Sequence, residues 1–205
     1  MNMDEFTKVT DKYHFKCTSC GRCCTGGQKV FLNLYDLFKL GRYHKYESSR
    51  MLFDAGRVVL VKDQNQSYLP RIRFKLKPFQ FCPYLLNIDT DPDTFRTKCS
   101  LHPDNKPLIC FLAPLGRVID LDREIDEYLY INPAPDCPGI ESDKENMLSA
   151  AVSEFEQELK FQYRFFKILK KAANNELSRQ AYLEDIYYFD LRQDFESILA
   201  GKENF

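Results

Sequence analysis

The sequence predicts an α+β fold: a small antiparallel sheet with cysteine-rich metal-binding loops, packed against C-terminal helices. Three observations predict it. All eight cysteines and all ten prolines fall within residues 1–140, and none within 141–205. The first part carries short alternating apolar/polar runs between polar loops, the pattern of half-buried strands. The second part repeats apolar residues at helical spacing without a proline to interrupt them. A chain of 205 residues, 44% of them hydrophobic, is long enough for a core of ordinary size. It is therefore expected to form a single domain over 1–205 and not to need cysteines merely to fold. Within that domain, 15–140 reads as the cysteine-cluster metal-binding region and 141–205 as a helical region.

The elements follow in order. "MNMDEFTKVTDKYHF" is mixed polar and acidic, with no basic segment leading into an apolar one, so no secretory signal is expected. "NLYDLFKLGRYHKY" reads as a short helix capped by Asn33, with Asp36 in its first turn. "GRVVLVK" (56–62) and "YLPRIRFKLK" (68–77) read as strands joined by the polar residues Asp63 to Ser67. In the second of them Ile72, Phe74 and Leu76 alternate with Arg71, Arg73, Lys75 and Lys77. The segment 87–98 reads as a polar loop. "GRVIDLDREIDEYLYI" (116–131) reads as a second hairpin turning near Asp122–Glu124, and "NPAPDCPG" (132–139) as a turn-rich stretch. Leu148, Val152, Phe155, Leu159, Phe166 and Leu169 mark one helix, capped by Ser142 or Asp143 and stopped near Asn174–Asn175. A last helix is expected from about Ser178 to Leu199, ending before Gly201. Its apolar positions, among them Tyr182, Leu183, Ile186, Phe189, Phe195 and Leu199, are core-like.

The bulk numbers narrow the partners. A formal net charge of -1 gives no global electrostatic case for nucleic acid or for an anionic membrane surface. No run approaches the roughly 18 apolar residues of a membrane span. The expected compartment is the cytoplasm, where thiols stay reduced and clustered cysteines act more often as metal ligands than as disulfides.

The chemistry is concentrated in "FKCTSCGRCCTGG", residues 15–27, which holds Cys17, Cys20, Cys23 and Cys24. A C-x2-C pair lets the chain turn so that two sulfurs reach one cation while intervening amides offset the thiolate charge. Three cysteines at successive x2 spacing can wrap three corners of an iron–sulfur cube, as in bacterial ferredoxins, where a further cysteine precedes a proline. Cys82-Pro83 and Cys137-Pro138 offer remote cysteines in that context, and Cys99 and Cys110 complete the set. The adjacent pair Cys23 and Cys24, taken as extended chain, would point to opposite sides. That favours two centres, or one centre with a spare thiol. Soft thiolates suit zinc as well as an iron–sulfur cluster, and the x2 run leans to iron–sulfur. His14 and His102 lie three residues from a cysteine and could be ligands, donors to sulfur or surface residues; His44 reads as structural. A disulfide framework, a thiol redox centre working through C-x2-C exchange and simple packing are the competing readings. Packing accounts for Cys110 in "LICFL" but not for the cluster.

The run "FKCTSCGRCCTGG" resembles the opening signature of the zinc- or iron-chelating cysteine-cluster proteins (YkgJ-like), a signature shared by flagellin lysine N-methylase. In the same order, "LYDLFKL" resembles the helix after the cluster, "FCPYL" the Cys-Pro-aromatic-Leu block, "CSLHPDNKPLICFLAPL" the following two-cysteine segment and "CPG" a later Cys-Pro-Gly. The chain departs from the pattern at His102, Lys106 and Phe111, where Tyr, Arg and Arg are usual. The resemblance implies a chelating site on the cysteines. It implies a lysine N-methylase or other protein-modifying activity only through that relation. The residues themselves carry no C-x3-C-x2-C radical motif, no G-x-G-x-x-G, no P-loop and no G-x-S-x-G. Whether the protein is an enzyme is left open. The alternating basic residues Arg71, Arg73, Lys75 and Lys77 read first as a solvated sheet face, with docking of an acidic protein partner as the sharper alternative. The tyrosines near the C-terminus read as core and rim, and Asp185 and Asp190 as surface charges.

Overall fold

The computed structural model describes residues 6–25, 27–62, 68–77, 79–88, 97–173 and 179–204. It is α+β, with short helices, small antiparallel sheets and helices at the C-terminal end. Among the described residues, no helix is long and apolar enough to cross a membrane. The chain divides into two compact units. One comprises Met1–Gln28, Phe74–His102 and Ile109–Glu156; the other comprises Lys29–Arg73, Pro103–Leu108 and Gln157–Phe205. All eight cysteines belong to the first, and none to the second.

The cysteine-bearing unit is built from short strands. β1 (Thr7–Val9) and β2 (Lys12–His14) open the chain. Neither was expected, because three residues are too few for alternation to register and their partners lie far along the chain. β3 (Val58–Lys62) and β4 (Tyr68–Ile72) belong to the other unit. β5 (Leu85–Asn87) pairs with β6 (Thr97–Cys99), so the expected polar loop 87–98 is framed by a small hairpin; residues 89–96 lie outside the described part. β7 (Leu115–Asp120) and β8 (Ile125–Tyr130) form the second expected hairpin. Its turn is shaped by Asp120, whose Oδ1 accepts the amides of Asp122 and Arg123 at 2.9 and 3.0 Å. β1 joins the outer side of β8, and β9 (Glu145–Met147) pairs with β2.

The cysteine-free unit holds most of the helices. α1 (Leu34–Tyr43) starts where the sequence places it. The Asp36 amide donates to Asn33 Oδ1 at 2.9 Å and the Asn33 amide to Asp36 Oδ2 at 3.0 Å, a reciprocal capping box. α2 (Arg50–Asp54) follows, and the hairpin of β3 and β4 comes next; its connection at 63–67 lies outside the described residues. β4 ends at Ile72, earlier than expected. The alternation still buries Ile72 and Phe74, but Leu76 is 74% exposed. Arg73, Lys75 and Lys77 are solvated, as the simpler reading of the basic face expects.

The later helices are more divided than their periodicity suggests. α3 (Leu108–Leu112) carries Cys110. The expected helix over 148–169 is two, α4 (Leu148–Glu154) and α5 (Glu156–Ala173), because Phe155 leaves helical geometry and packs against Phe111, the rings tilted with centroids 5.1 Å apart. Neither Ser142 nor Asp143 caps α4, since β9 intervenes. The expected stop at Asn174–Asn175 lies outside the described residues. The last helix is likewise two, α6 (Arg179–Tyr187) and α7 (Phe195–Glu203), with Gly201 inside α7. Between them the backbone leaves the helix to pair with another segment: Phe189 donates to Ser49 Oγ at 2.8 Å and Leu191 to the Glu47 carbonyl at 2.8 Å. Asp194 then caps α7 by accepting the Ser197 amide at 2.9 Å.

The core of this second unit is dense. Tyr35, Phe161 and Phe195 meet with ring centroids 4.7–4.9 Å apart. Tyr182, Tyr187 and Phe189 are buried, and the Tyr187 hydroxyl donates to the Tyr68 carbonyl at 2.5 Å. His44 closes α1 and stacks on Tyr46. Burial and the nearby Arg57 charge hold its imidazole below the usual range, which fits a structural role.

Candidate metal centre

The cysteine run is not extended. After Gly21 the chain makes a 3-10 turn, Arg22–Cys24, and this brings the sulfurs of Cys23 and Cys24 to 4.0 Å. The expectation that the doublet's side chains diverge rested on extended geometry and does not hold. Gly21 makes the turn possible with φ of +72°, and a Cβ there would lie 2.7 Å from Thr97 Oγ1. Thr97 is itself buried and donates to the Ser19 carbonyl at 2.6 Å, fixing the loop between Cys17 and Cys20 against β6. Sequence reasoning missed this support; a threonine two residues before Cys99 carries no visible signal of its partner.

Two neighbourhoods of thiols result. In the first, the Cys82 amide donates to the Cys24 carbonyl at 2.7 Å, and Thr25 bridges to Phe81. Leu85 pairs with Cys99 across β5 and β6, which brings the Cys82 turn beside Cys99. The Cys23 thiol favours the Cys24 thiolate, but a bond to Cys82, burial and the charges of Cys82 and Cys99 outweigh it. They push Cys24 up to about 12. In the second neighbourhood, the Lys16 amide donates to the Gly139 carbonyl at 3.1 Å and Arg22 pairs with Asp136 at 3.2 Å. A Cβ on Gly139 would lie 2.5 Å from the Lys16 carbonyl oxygen, so only glycine permits this approach. The Cys137 thiol is pushed up by burial, drawn back by the Gly139 amide and pushed up again by Cys20, Cys23 and Cys17. Cys23 thus adjoins both groups.

The eight positions differ in exposure. Cys82 and Cys137 are buried, Cys20, Cys24, Cys99 and Cys110 half-buried, and Cys17 and Cys23 exposed. None of the eight is joined in a disulfide. Among the described residues, no group of three or more Cys, His, Asp or Glu side chains is arranged so that it could hold a metal ion. What fits a thiolate-bound metal is the chemistry of the donor set and the backbone that gathers it; the sulfurs are neighbours without enclosing a common point. The histidines are peripheral: His14 is exposed on β2, and His102 is exposed in the turn after Cys99 with its ring 6.3 Å from Phe111.

A second cluster of ionisable groups lies in the cysteine-free unit. Asp36 is buried, accepts the Leu108 amide at 2.9 Å and lies 3.8 Å from Lys39. Lys39, also buried, donates to Glu158 at 2.6 Å and to the Lys106 carbonyl at 2.8 Å. Burial pushes the Asp36 carboxyl up to about 6, against the pull of Lys39 and two backbone amides. Each group has its partner, as a structural network requires. Asp190 is different: its salt link to exposed Arg192 holds it at about 2, the behaviour of a surface charge.

Compared with protein-family models, with curated proteins and with solved structures, the chain matches none.

Proposed function

We propose that the cysteine-bearing unit is a metal-binding module, whose thiolates hold an iron–sulfur cluster or zinc in a structural, carrier or redox role. On this reading the protein works in the cytoplasm and is a remote relative of the YkgJ-like cysteine-cluster proteins. The observation that carries the reading is the uneven core. Of the twelve largest fully buried side chains among the described residues, only Leu101 belongs to the unit that holds every cysteine. A unit whose strands, apart from the six-residue β7 and β8, span only three residues each, and whose core is so thin, needs another source of cohesion, and a structural metal supplies one. Cys24, Cys82 and Cys99 form one candidate donor group, and Cys17, Cys20, Cys23 and Cys137 the other, with Cys110 as the remaining candidate. When bound, the metal supplies the positive charge that lets crowded thiols ionise. The raised Cys24 and Cys137 thiols weigh against disulfide exchange at those positions, which uses depressed ones.

The test is anaerobic purification followed by assay of iron, zinc and acid-labile sulfide, with a visible spectrum. Iron with sulfide and colour is the expected outcome for a cluster, and colourless protein with zinc for the alternative metal. Metal-free protein with eight titratable thiols sinks the reading. Serine at Cys23 and at Cys24, made separately, then shows whether the doublet serves one centre or two.

A further inference from the structure

An exposed apolar face lies beside Cys82, on residues the metal reading does not use. Four of the eight large apolar side chains exposed among the described residues fall within 76–88: Leu76, Phe79, Leu86 and Ile88. The backbone shows why they stand out. Lys75 and Phe81 exchange hydrogen bonds at 2.9 and 3.0 Å, closing a tight loop that displays Leu76 and Phe79. The Phe79 ring lies 5.4 Å from Phe81. The turn from Cys82 to Leu85 then leads directly into β5, which carries Leu86, and Ile88 follows just beyond its end. All four stay in water. Clustered exposed apolar side chains mark interaction sites far more than isolated ones do.

Among the described residues of 74–88 and 97–99 the charged side chains are all basic, while Asp89, Asp91 and Asp93 lie outside the described residues. Lys75, Lys77 and Lys98 are exposed. Lys75 lies over the Phe81 ring at 5.5 Å, and Lys98 stands opposite Leu86 across the β5–β6 pair. Residues 74–88 contain no Asp or Glu. An apolar patch with a basic rim complements a segment that carries acidic and apolar side chains together. An anionic lipid surface is the weaker fit, because sequence-readable lipid recognition takes clusters of about four to eight basic residues, and this rim has three.

We propose that this face docks an acidic, apolar-bearing segment of a partner protein. Apolar contact with Leu76, Phe79, Leu86 and Ile88 supplies attraction, and the lysines set orientation and partner choice.

The test is fluorescence anisotropy with the purified full chain. The probes are short fluorescein-labelled peptides in which Asp and Glu alternate with Leu and Phe, beside matched peptides with Lys in the acidic positions. The acidic set is expected to bind, more weakly at high salt, and the basic set to fail. Phe79→Ser and Lys77→Glu should each lower affinity by about tenfold without moving the thermal unfolding midpoint. No binding, equal binding of the two sets, or variants that bind like the parent would overturn the proposal. So would tight uptake by phosphatidylserine vesicles in place of peptide, or self-association abolished by Phe79→Ser. Peptide binding that appears only after Asp89, Asp91 and Asp93 are changed to Asn would make the chain's own acidic segment the occupant, and would also overturn it.

Discussion

In the cysteine-free unit, Tyr35, Phe161 and Phe195 form an aromatic cluster, and eleven of the twelve largest fully buried side chains among the described residues lie within its bounds. In the cysteine-bearing unit β1, β2, β5, β6 and β9 each span three residues, and backbone bonds between loops do much of the joining. One unit coheres by ordinary apolar burial. The other has the loop-rich construction of modules that rely on cross-links or metals. The difference teaches that a chain of adequate overall composition can distribute its core unevenly, so a whole-chain hydrophobic fraction says little about any one part.

The largest expected effect breaks or sharpens this contrast directly. Stripping metal with a chelator under anaerobic conditions should remove amide protection at Lys16, Cys82 and Ser100, whose backbone bonds gather the cysteine loops. Protection in α5 around Ile168 and Leu169 should persist. Structural zinc sites contribute on the order of 10 kcal/mol, so the loss should be near complete. Uniform protection after chelation, or loss in both units at once, would remove the contrast.

A smaller effect is expected from Phe195→Ala. The ring is buried against Tyr35 and Phe161, and such truncations cost about 3–5 kcal/mol. Urea unfolding followed by far-UV circular dichroism reads the shift, and the native thiol count should stay that of the parent. An unchanged midpoint would mean that the aromatic cluster is not the support described.

The smallest effect is a pH dependence. Because burial raises Asp36 from 3.8 to about 6, its folded form holds a proton more readily than its unfolded form. The associated stability is fully present below the unfolded value and is lost as pH rises through the folded one. The stability of the parent relative to Asp36→Asn should therefore fall between pH 3.8 and about 6, by on the order of 3 kcal/mol. A difference that grows with pH over that window would show that Lys39 governs the carboxylate more than burial does.

Much of the site was legible as composition and little of it as arrangement. The cysteine run, the Cys-Pro pairs and the permissive Gly21 are local features, and they are visible in a string. The meeting of Cys24 with Cys82, or of the Lys16 segment with Gly139, depends on contacts across more than fifty residues of chain. The doublet shows the limit well. Its side-chain directions depend on whether residues 22–24 are extended or turned, and the contacts of Gly21 with Thr97 favour the turn. The exposed face at 76–88 was half visible: the basic alternation could be read, while the end of β4 at Ile72, which leaves Leu76 in water, could not.

The sequence by itself determined features whose causes are short-range. These are the capping box of Asn33 and Asp36, the β7–β8 hairpin turning near Asp122–Glu124, the α+β class and the confinement of thiols to one stretch of the chain. Caps, turns and periodicity act over a few residues, so a linear reading captures them. Tertiary structure decided where helices break and which distant groups become neighbours. Phe155 leaves its helix to meet Phe111, and residues near Phe189 leave theirs to bond Ser49. β1 exists because β8, more than a hundred residues later, offers it an edge. In each case a partner remote in sequence outweighs the local preference, and only folding brings that partner into reach.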